Sequence, residues 1–330
     1  MSRHRVRKAK ASLGSRIMSA FFAFVLVAGL VLLAYPSVAN WWNQLHQSRA
    51  VATYIAQSKD YSKQQRKVMI AMARQYNAQL SQRALLSKSE NENDRWVMTG
   101  AEKRYYESVL DITGTGVMGY VTIPGIKVRL PIYHGTGEGI LQIATGHIAG
   151  SSLPVGGEST HAVVSGHTGL PSAKLFTGLD KLKKGDTFAF HVLERTCTYR
   201  VDRISVVLPK DLSKLNIESG MDYATLVTCT PYGVNTHRLL VRGHRIANPD
   251  AADTTDYDAR IRLMSAIIIT TTLLVLTAIF SWLAWTTRRY LAQKRAMRPM
   301  PLSGEPWDDV AGIADPLNDN QRRHAKEWRK

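Results

Sequence analysis

The chain carries one long run of apolar residues near each end. Residues 17–35 form 19 consecutive positions without a charged side chain, and residues 263–285 form 23 such positions. Neither run shows the polar stripe of a helix that lies on the surface of a soluble protein. A helix needs about 20 apolar residues to cross the hydrocarbon core of a bilayer. The pattern therefore predicts two transmembrane helices, at residues 17–35 and 263–285.

The first apolar run has an alternative interpretation, a cleaved signal peptide. Ser37-Val38-Ala39 resembles a small-x-small cleavage site. The run is, however, longer than the apolar core of about 7–15 residues that signal peptides usually have. An uncleaved anchor is favoured, and either interpretation exports the segment that follows.

The region between the two runs changes character along its length. Residues 40–86 are rich in helix-forming side chains and predict one or two helices, and residues 87–100 are polar and predict a loop that contains a single tryptophan, Trp96. From Gly119 onward, short β-rich runs alternate with glycine and proline turns, which predicts an antiparallel barrel or sandwich. The predicted strands are 119–123, 128–133, 162–165, 187–192, 198–207, 224–229 and 238–246.

The formal net charge of +17 is concentrated at the two ends of the chain. Residues 1–16 carry six basic side chains and no acid, and residues 286–330 carry ten basic and six acidic ones. Basic residues that flank membrane spans mark the cytoplasmic side. We therefore expect both termini in the cytoplasm, residues 36–262 outside, and no nucleic-acid partner. Arg260 and Arg262, on the outer side of the second span, depart from this rule.

Only two cysteines are present, Cys197 and Cys229. Cys229 ends the apolar run 225–229 and is followed by Pro231 and Gly233, so it is expected at a strand end, where a rigid scaffold meets a loop. Such a cysteine is either a nucleophile or a small buried apolar residue. A Cys197–Cys229 disulfide is a further possibility, and it would remove a catalytic thiol.

Two other side chains are candidates to assist a thiol. His167 also follows a strand-like run, and an imidazole next to a thiol favours the thiolate. The ten histidines of the chain leave this choice open on residue type alone, and His161, His237 and His244 are equally compatible with structural roles. Arg238 begins the next strand-like run after Cys229. If those two strands pair, its guanidinium reaches the thiol and can bind a developing oxyanion. Neither a Cys-x-x-Cys nor a His-Glu-x-x-His spacing is present, so no metal site is predicted.

Three segments resemble the active-site regions of class C sortases, which assemble pili. They are LPIYHGT at 130–136, VSGHTGLPSAKLF at 164–176 and TLVTCTPYGVNTHRLLVRGH at 225–244. The match covers roughly residues 90–248, and the arrangement with two membrane spans is also typical of that class. The resemblance implies an eight-stranded β-barrel with short helices, preceded by N-terminal helices and flanked by two transmembrane helices.

The resemblance also implies an activity. Class C sortases cleave a Leu-Pro-x-Thr-Gly-like sorting signal after Thr, hold the acyl group as a thioester, and transfer it to a lysine amine of the next pilin subunit. The implied catalytic residues are Cys229 as nucleophile, His167 as proton donor and acceptor, and Arg238 as the group that stabilises the intermediate. The implied partners are pilin subunits and the membrane, without a metal or a cofactor.

Class C sortases also carry a lid in which an Asp and an aromatic residue two positions later cover the site. Asp94 and Trp96 fit this spacing, although Arg95 stands where the commoner form has Pro. A ring over the thiol would protect it from oxidation and control access. The alternative is an exposed loop tryptophan.

The expected organisation has seven parts: basic tail 1–16, first span 17–35, helical stalk and lid loop 36–100, catalytic barrel 101–248, linker 249–262, second span 263–285 and cytoplasmic tail 286–330. Three other functions stay open on the sequence alone: a sortase that anchors proteins to the cell wall, an envelope cysteine hydrolase, and a non-enzymatic envelope scaffold.

Overall fold

A computed structural model describes residues 13–86, 96–249 and 255–296. The chain divides into two units, residues 1–265 and residues 266–330. The first unit contains eight strands and most of the helices. In the second unit, the described residues continue the last helix.

The helices and strands follow the expected order. The helices are α1 Leu13–Asp60, α2 Lys63–Leu86, α3 Gly100–Ser108, α4 Glu138–Leu141 and α5 Ala259–Ala296. The strands are β1 Val117–Ile123, β2 Val128–His134, β3 Thr145–His147, β4 Thr160–Ser165, β5 Thr187–Val192, β6 Arg195–Val207, β7 Asp222–Thr230 and β8 His237–Ile246.

The eight strands close into a barrel in the order β1-β2-β3-β4-β7-β8-β6-β5, which confirms the expected barrel. The expectation of a wholly antiparallel sheet was wrong, because β2 pairs with β3 and β4 pairs with β7 in parallel. Parallel neighbours need a crossover connection. Helix α4 lies in the first crossover, and strands β5 and β6 lie in the second.

Large apolar and aromatic side chains fill the interior of the barrel. Phe176, Phe188, Phe190 and Tyr199 are fully buried, and the rings of Phe188 and Tyr199 stack with their centroids 5.6 Å apart. The hydroxyl of Tyr199 donates to the carboxylate of Asp222 at 3.0 Å, so the polar end of this ring is not left unpaired in the core. These side chains give the strands a rigid base.

Helix α1 extends well beyond the first apolar run and packs against the barrel. It continues through Pro36 to Asp60, so Ser37-Val38-Ala39 is helical. Tyr54 is buried; its hydroxyl donates to the carbonyl of Met118 at 2.9 Å and accepts from the backbone N–H of Leu193 at 2.9 Å. The same continuous helix therefore contains an apolar run and a docking face for the barrel.

Two of the described helices are long and apolar enough to cross a membrane. They include the candidate spans Phe24–Asp60 and Ala259–Arg289. Their apolar side chains are exposed, for example Leu33 at 79% and Leu274 at 68%. Exposed apolar surface of this length is expected where the surroundings are lipid rather than water.

Helix α2 also packs against the barrel, through Ala73, Tyr76 and Leu80, which belong to the main core. Asn77 lies on the same side and is 2% exposed. Its amide donates to the carbonyl of Leu153 at 3.0 Å and accepts from the N–H of Leu153 at 2.7 Å. Asn77 thus satisfies both backbone groups of a buried residue in the β3–β4 connection.

Replacement of Asn77 by Ala should destabilise the protein by about 2–4 kcal/mol, because a buried N–H and a buried carbonyl lose their partners at about 1–3 kcal/mol each. Chemical denaturation of the detergent-solubilised protein measures this change. Gln79→Ala, an exposed amide on the same helix, should change the free energy of unfolding by less than about 0.5 kcal/mol. Equal effects of the two substitutions would contradict this account of Asn77.

Candidate functional site

Two sequence-predicted site residues lie on the neighbouring strands β7 and β8, and a third, His167, follows the end of β4 by two residues. In the antiparallel pair β7–β8, Cys229 and Arg238 are direct partners. In the parallel pair β4–β7, Ser165 is the partner of Val227, and the N–H of Gly166 donates to the carbonyl of Val227 at 3.0 Å. His167 and Cys229 each follow that pair by two residues. Extending the β4–β7 register by two residues brings His167 beside Cys229, which is the partner of Arg238 on β8; these three residues are here named the row.

The row lies on the outer face of the barrel wall. Ala224 and Leu226 of β7 belong to the main core, whereas Val227 belongs to a second cluster. Because side chains alternate between the two faces of a strand, Cys229 lies on the same face as Val227. The second cluster is here named the outer cluster and consists of Val163, Val207, Leu215, Val227 and Leu240. It forms an apolar floor beside the three polar side chains.

The position of His167 depends on contacts made by its neighbours. The hydroxyl of Thr228 is buried and donates to the carbonyl of Gly166 at 2.7 Å, which joins the residue before the thiol to the residue before the imidazole. The N–H of Phe176 donates to the carbonyl of His167 at 3.0 Å. A Cβ atom at Gly166 would approach the ring of Phe176 to 2.8 Å, so the ring packs where only glycine leaves room.

Thr228, Gly166 and Phe176 were not among the sequence-predicted site residues. Their role depends on the β4–β7 pairing, which joins positions 62 residues apart. One weak signal was available for Thr228. It is a polar residue that follows Ala224 and Leu226 on the core-facing side of its strand, and a buried hydroxyl needs a partner.

Arg238 keeps part of its guanidinium free for a ligand. Its Nη1 group donates to the carbonyls of Asn235 and His237 at 3.2 and 3.1 Å. For its Nε and Nη2 groups, no acceptor is found among the described residues. The guanidinium is half-buried and is held in place through Nη1. Its remaining N–H groups can donate hydrogen bonds to a substrate oxygen that becomes negatively charged.

The two cysteines have different surroundings. Both are free thiols, Cys197 buried and Cys229 half-buried. Cys197 lies near the start of β6, and Val207 at the other end of that strand pairs with Arg238. The thiols are thus separated by about 30 Å along the strands, at about 3.3 Å per residue. A disulfide between them is therefore wrong, because bridged Cα atoms lie within about 7 Å of each other.

Trp96 lies beside the surface formed by the outer cluster, Cys229 and Arg238, here named the groove. It is half-buried and packs against the outer cluster, in which Val227 is two residues from the thiol and Leu240 two residues from the guanidinium. Trp96 is therefore not the exposed loop residue of the alternative interpretation. Asp94, the other predicted lid residue, lies outside the described residues. An ion pair joins Arg83 of α2 to Glu102 of α3, the helices before and after the predicted lid residues.

Glu102 is fixed by several hydrogen bonds. It accepts from the backbone N–H and the hydroxyl of Thr99, which completes a capping box at the start of α3. The Thr99 backbone bond, with Arg83 and the Thr99 hydroxyl next in importance, lowers the pKa of Glu102 to about 2. Because the carboxyl group is therefore ionised in neutral solution, it can both cap α3 and hold Arg83.

Other histidines and Arg242 have structural partners instead. His161 contacts the carbonyl of Asn216 and the hydroxyl of Thr225 at 2.8 and 2.7 Å. His147 is fully buried, and burial lowers its pKa to about 4. Arg242 forms ion pairs with Asp202 and Glu218 at 2.9 and 3.1 Å. Their partners distinguish these side chains from His167 and Arg238.

Comparison with known proteins identifies one family. A family model described as the sortase domain matches residues 121–246. Among curated relatives, sortase A of Streptococcus agalactiae serotype III is 32% identical over 117 residues, which are 34% of this chain and 47% of that protein. Sortase D of Bacillus subtilis is 28% identical over 131 residues, 39% of this chain and 63% of that protein. The matches thus span less than two thirds of these relatives.

Solved structures match over longer stretches. Sortase C1 of Streptococcus agalactiae has a TM-score of 0.56 and is 49% identical, covering 61% of this chain and all of that chain. Sortase C of Streptococcus pneumoniae has a TM-score of 0.53 at 40% identity, over 62% of this chain and all of that one. Sortase C of Clostridium perfringens, solved with a C-terminal cell wall sorting motif, has a TM-score of 0.51 at 38% identity, over 61% and 100%.

Iodoacetamide should modify Cys229 in the native protein and leave Cys197 unmodified. Cys197 is inaccessible, and burial raises the pKa of its thiol, so little of the reactive thiolate is present. Mass spectrometry of digested protein identifies the modified residue. Both thiols should react after unfolding, and Cys229→Ala should abolish native labelling. Native labelling of Cys197 at a similar rate would contradict the burial argument.

Proposed function

Because this chain belongs to the sortase family, we propose that it is a membrane-anchored cysteine transpeptidase that joins pilin subunits. It cleaves a Leu-Pro-x-Thr-Gly-like signal after Thr and transfers the acyl group to a lysine amine. The observation that carries this proposal is the row His167–Cys229–Arg238, fixed by the pairing of β4, β7 and β8. The row combines a nucleophile, a group that carries a proton, and a group that donates hydrogen bonds to an oxyanion, all on the outer face of the sheet.

In the first half of the proposed reaction, the thiolate of Cys229 attacks the carbonyl carbon of the signal threonine. The carbonyl oxygen becomes an oxyanion and accepts hydrogen bonds from the unused donors of Arg238. The carbon–nitrogen bond to glycine then breaks, and protonated His167 gives its proton to the leaving amine. The products are a thioester on Cys229 and a peptide with a new amino terminus.

In the second half, the neutral ε-amine of a lysine attacks the thioester carbonyl. His167 takes a proton from that amine, Arg238 again stabilises the oxyanion, and the carbon–sulfur bond breaks. An isopeptide bond forms and the thiolate of Cys229 returns. One amide is exchanged for another, so no net oxidation and no external energy source is required.

The assignment to pilins rests on the relatives. The structural neighbours named above are C-type sortases, and the pneumococcal one is described in terms of its pilin substrate specificity. The curated sequence relatives are instead sortases A and D. Because of that difference, the second candidate function is the anchoring of proteins to the cell wall. In that reaction, an amine of the cell wall attacks the same thioester.

We further propose that Asp94 and Trp96 form a lid. Support comes from the packing of Trp96 against the outer cluster and from the ion pair between Arg83 and Glu102 near the ends of the loop. A related sortase C1 of Streptococcus agalactiae has been solved as a lid mutant, at 38% identity and a TM-score of 0.53. In the lidded state, Trp96 occupies apolar surface that a bound signal peptide would cover.

We propose a membrane topology in which both termini are cytoplasmic and residues 36–262 lie outside the cell. The two apolar helices supply the spans, and the basic residues of 1–16 and 286–330 supply the orientation. In this organisation, residues 36–100 form the stalk and lid loop, residues 101–248 the catalytic domain and residues 249–262 the linker. The catalytic groove then faces the compartment that contains exported pilins.

The wild-type protein in detergent, incubated with a Leu-Pro-x-Thr-Gly peptide and a lysine-containing pilin peptide, should form an isopeptide-linked product. Mass spectrometry identifies it. Cys229→Ala should lower the rate by at least about 10³-fold, because the nucleophile is lost. Cys197→Ala, which removes the other thiol, should retain most of the activity. Cleavage without an amine adduct would favour a hydrolase, and transfer only to a cell-wall amine would favour the second candidate.

Trp96→Ala should raise the initial rate of peptide cleavage several-fold, since it removes the ring that covers the apolar floor. Val97→Ala, at the neighbouring residue that is 79% exposed, should leave the rate unchanged and serves as the control. The iodoacetamide reaction rate of Cys229 provides a second readout and should rise in parallel. A slower reaction of Cys229 in Trp96→Ala would contradict the lid.

A further inference from the structure

A cavity of about 350 Å³ lies between α1, the β1–β2 connection and the segment that begins α5. Gln44, Gln47 and Ser48 of α1 form one wall, residues 126–130 and Lys174 form the second, and residues 256–261 form the third. All of these residues belong to the first unit of the chain. This space, here named the juxtamembrane cavity, is separate from the groove of Cys229, whose residues do not line it.

The cavity lies next to the outer ends of the two apolar runs. The indole N–H of Trp41 in α1 donates to the hydroxyl of Ser265 in α5 at 2.7 Å, so the two helices meet there. Gln44 follows Trp41 by about one helical turn, and Ile261 precedes Ser265 by about one turn. Tryptophan is enriched at the boundary between hydrocarbon and headgroups. The lining residues therefore lie at the depth of the lipid headgroups when the helices span a bilayer.

The charges in the juxtamembrane cavity do not balance. Four cations line it, namely Lys127, Arg129, Lys174 and Arg260, against the two acids Asp256 and Asp258. Both acids are already paired. Asp258 binds Arg129 at 2.6 Å. Asp256 binds Arg262, which does not line the cavity.

Three cations remain without a carboxylate partner. Lys127, Lys174 and Arg260 have no carboxylate within 4.0 Å among residues 13–86, 96–249 and 255–296. The ammonium of Lys174 donates to the carbonyl of Ile126 at 2.7 Å, which leaves its other hydrogens available. Two of the cations, Lys127 and Arg260, are exposed at the edge of the cavity. An anion within the cavity would therefore meet three lining cations that no carboxylate of the described residues neutralises.

The electrostatics of Lys174 agree with an anion site. Burial lowers its pKa, and the nearby charges of Arg260, Lys181 and Lys127 lower it further. These cations repel one another when the cavity holds no anion. A bound phosphate group would attract each of these cations and so offset their mutual repulsion. It accepts hydrogen bonds from lysine and arginine and places negative charge between them.

We propose that the juxtamembrane cavity binds the phosphate headgroup of an anionic phospholipid, held by Lys127, Lys174 and Arg260. This site goes beyond peptide transfer and rests on the membrane anchoring proposed above. It gives a reason for a basic residue on the outer side of the second span, where the positive-inside rule does not call for one. The lipid would fasten the β1–β2 connection and the loop of Lys174 to the bilayer surface.

The test uses the full-length protein in nanodiscs of phosphatidylcholine with about one third phosphatidylglycerol, followed by native mass spectrometry of retained lipids. The wild type should retain phosphatidylglycerol and phosphatidylcholine in a ratio at least about tenfold higher than their ratio in the nanodisc, as expected from roughly two or three neighbouring cations. Lys127→Gln combined with Arg260→Gln should lose this preference. Both side chains are exposed, so this variant is expected to fold. Lys63→Gln combined with Lys67→Gln removes the same charge from α2, outside the cavity, and should keep the preference.

Each failure has its own signature. Retention of the two lipids in the same ratio as in the nanodisc, by protein that has entered nanodiscs, would overturn the headgroup site and leave anchoring and transpeptidation standing. Failure to enter nanodiscs would overturn anchoring and the site together. In detergent, phosphatidylglycerol should raise the unfolding temperature of the wild type and not of the cavity variant. An equal rise with inorganic phosphate alone would overturn the lipid assignment in favour of a free anion.

Discussion

The parallel pairing of β4 with β7 is the interaction on which the proposed active site depends. The pairing of β7 with β8 needs only a short loop, and it brings Cys229 opposite Arg238. His167 reaches the same row only because β4 lies on the other side of β7, with two strands inserted between them in the chain. A slip of one residue would turn the side chains of β4 to the other face. The geometry of the proposed site thus depends on the register of these strands.

Several contacts fix that register from both faces of the sheet. On the inner face, the buried hydroxyl of Thr228 holds the carbonyl of Gly166, and the ring of Phe176 occupies the space beside the glycine. On the outer face, Val163 of β4, Val227 of β7 and Leu240 of β8 pack together in the outer cluster. The apolar floor that stabilises the pairing is also the surface that Trp96 covers. Fold stability and access to the thiol therefore involve the same side chains.

Much of this arrangement could be predicted from the sequence. Strand 187–192 was predicted at its observed bounds, and the other six predicted strands differ from the observed ones by up to three residues at either end. β3 was missed because three residues are too short to show alternation. The hairpin of Cys229 and Arg238 followed from nearness in sequence. The placement of His167, Thr228 and Phe176 did not, because a parallel pairing over 62 residues leaves no local pattern.

Helix α1 joins the first apolar run directly to the loop that follows His167. Asn40 of this helix accepts from the N–H of Lys174, and Asn43 donates to the carbonyl of Ser172, both in the loop that follows His167. Tyr54 secures the same helix to the barrel about 20 Å further along, at 1.5 Å per residue. Because the helix is joined to the barrel at both places, a tilt of α1 is shared by the barrel. In the proposed topology, a change of bilayer thickness that alters the tilt of α1 also alters the distance of Cys229 from the membrane surface.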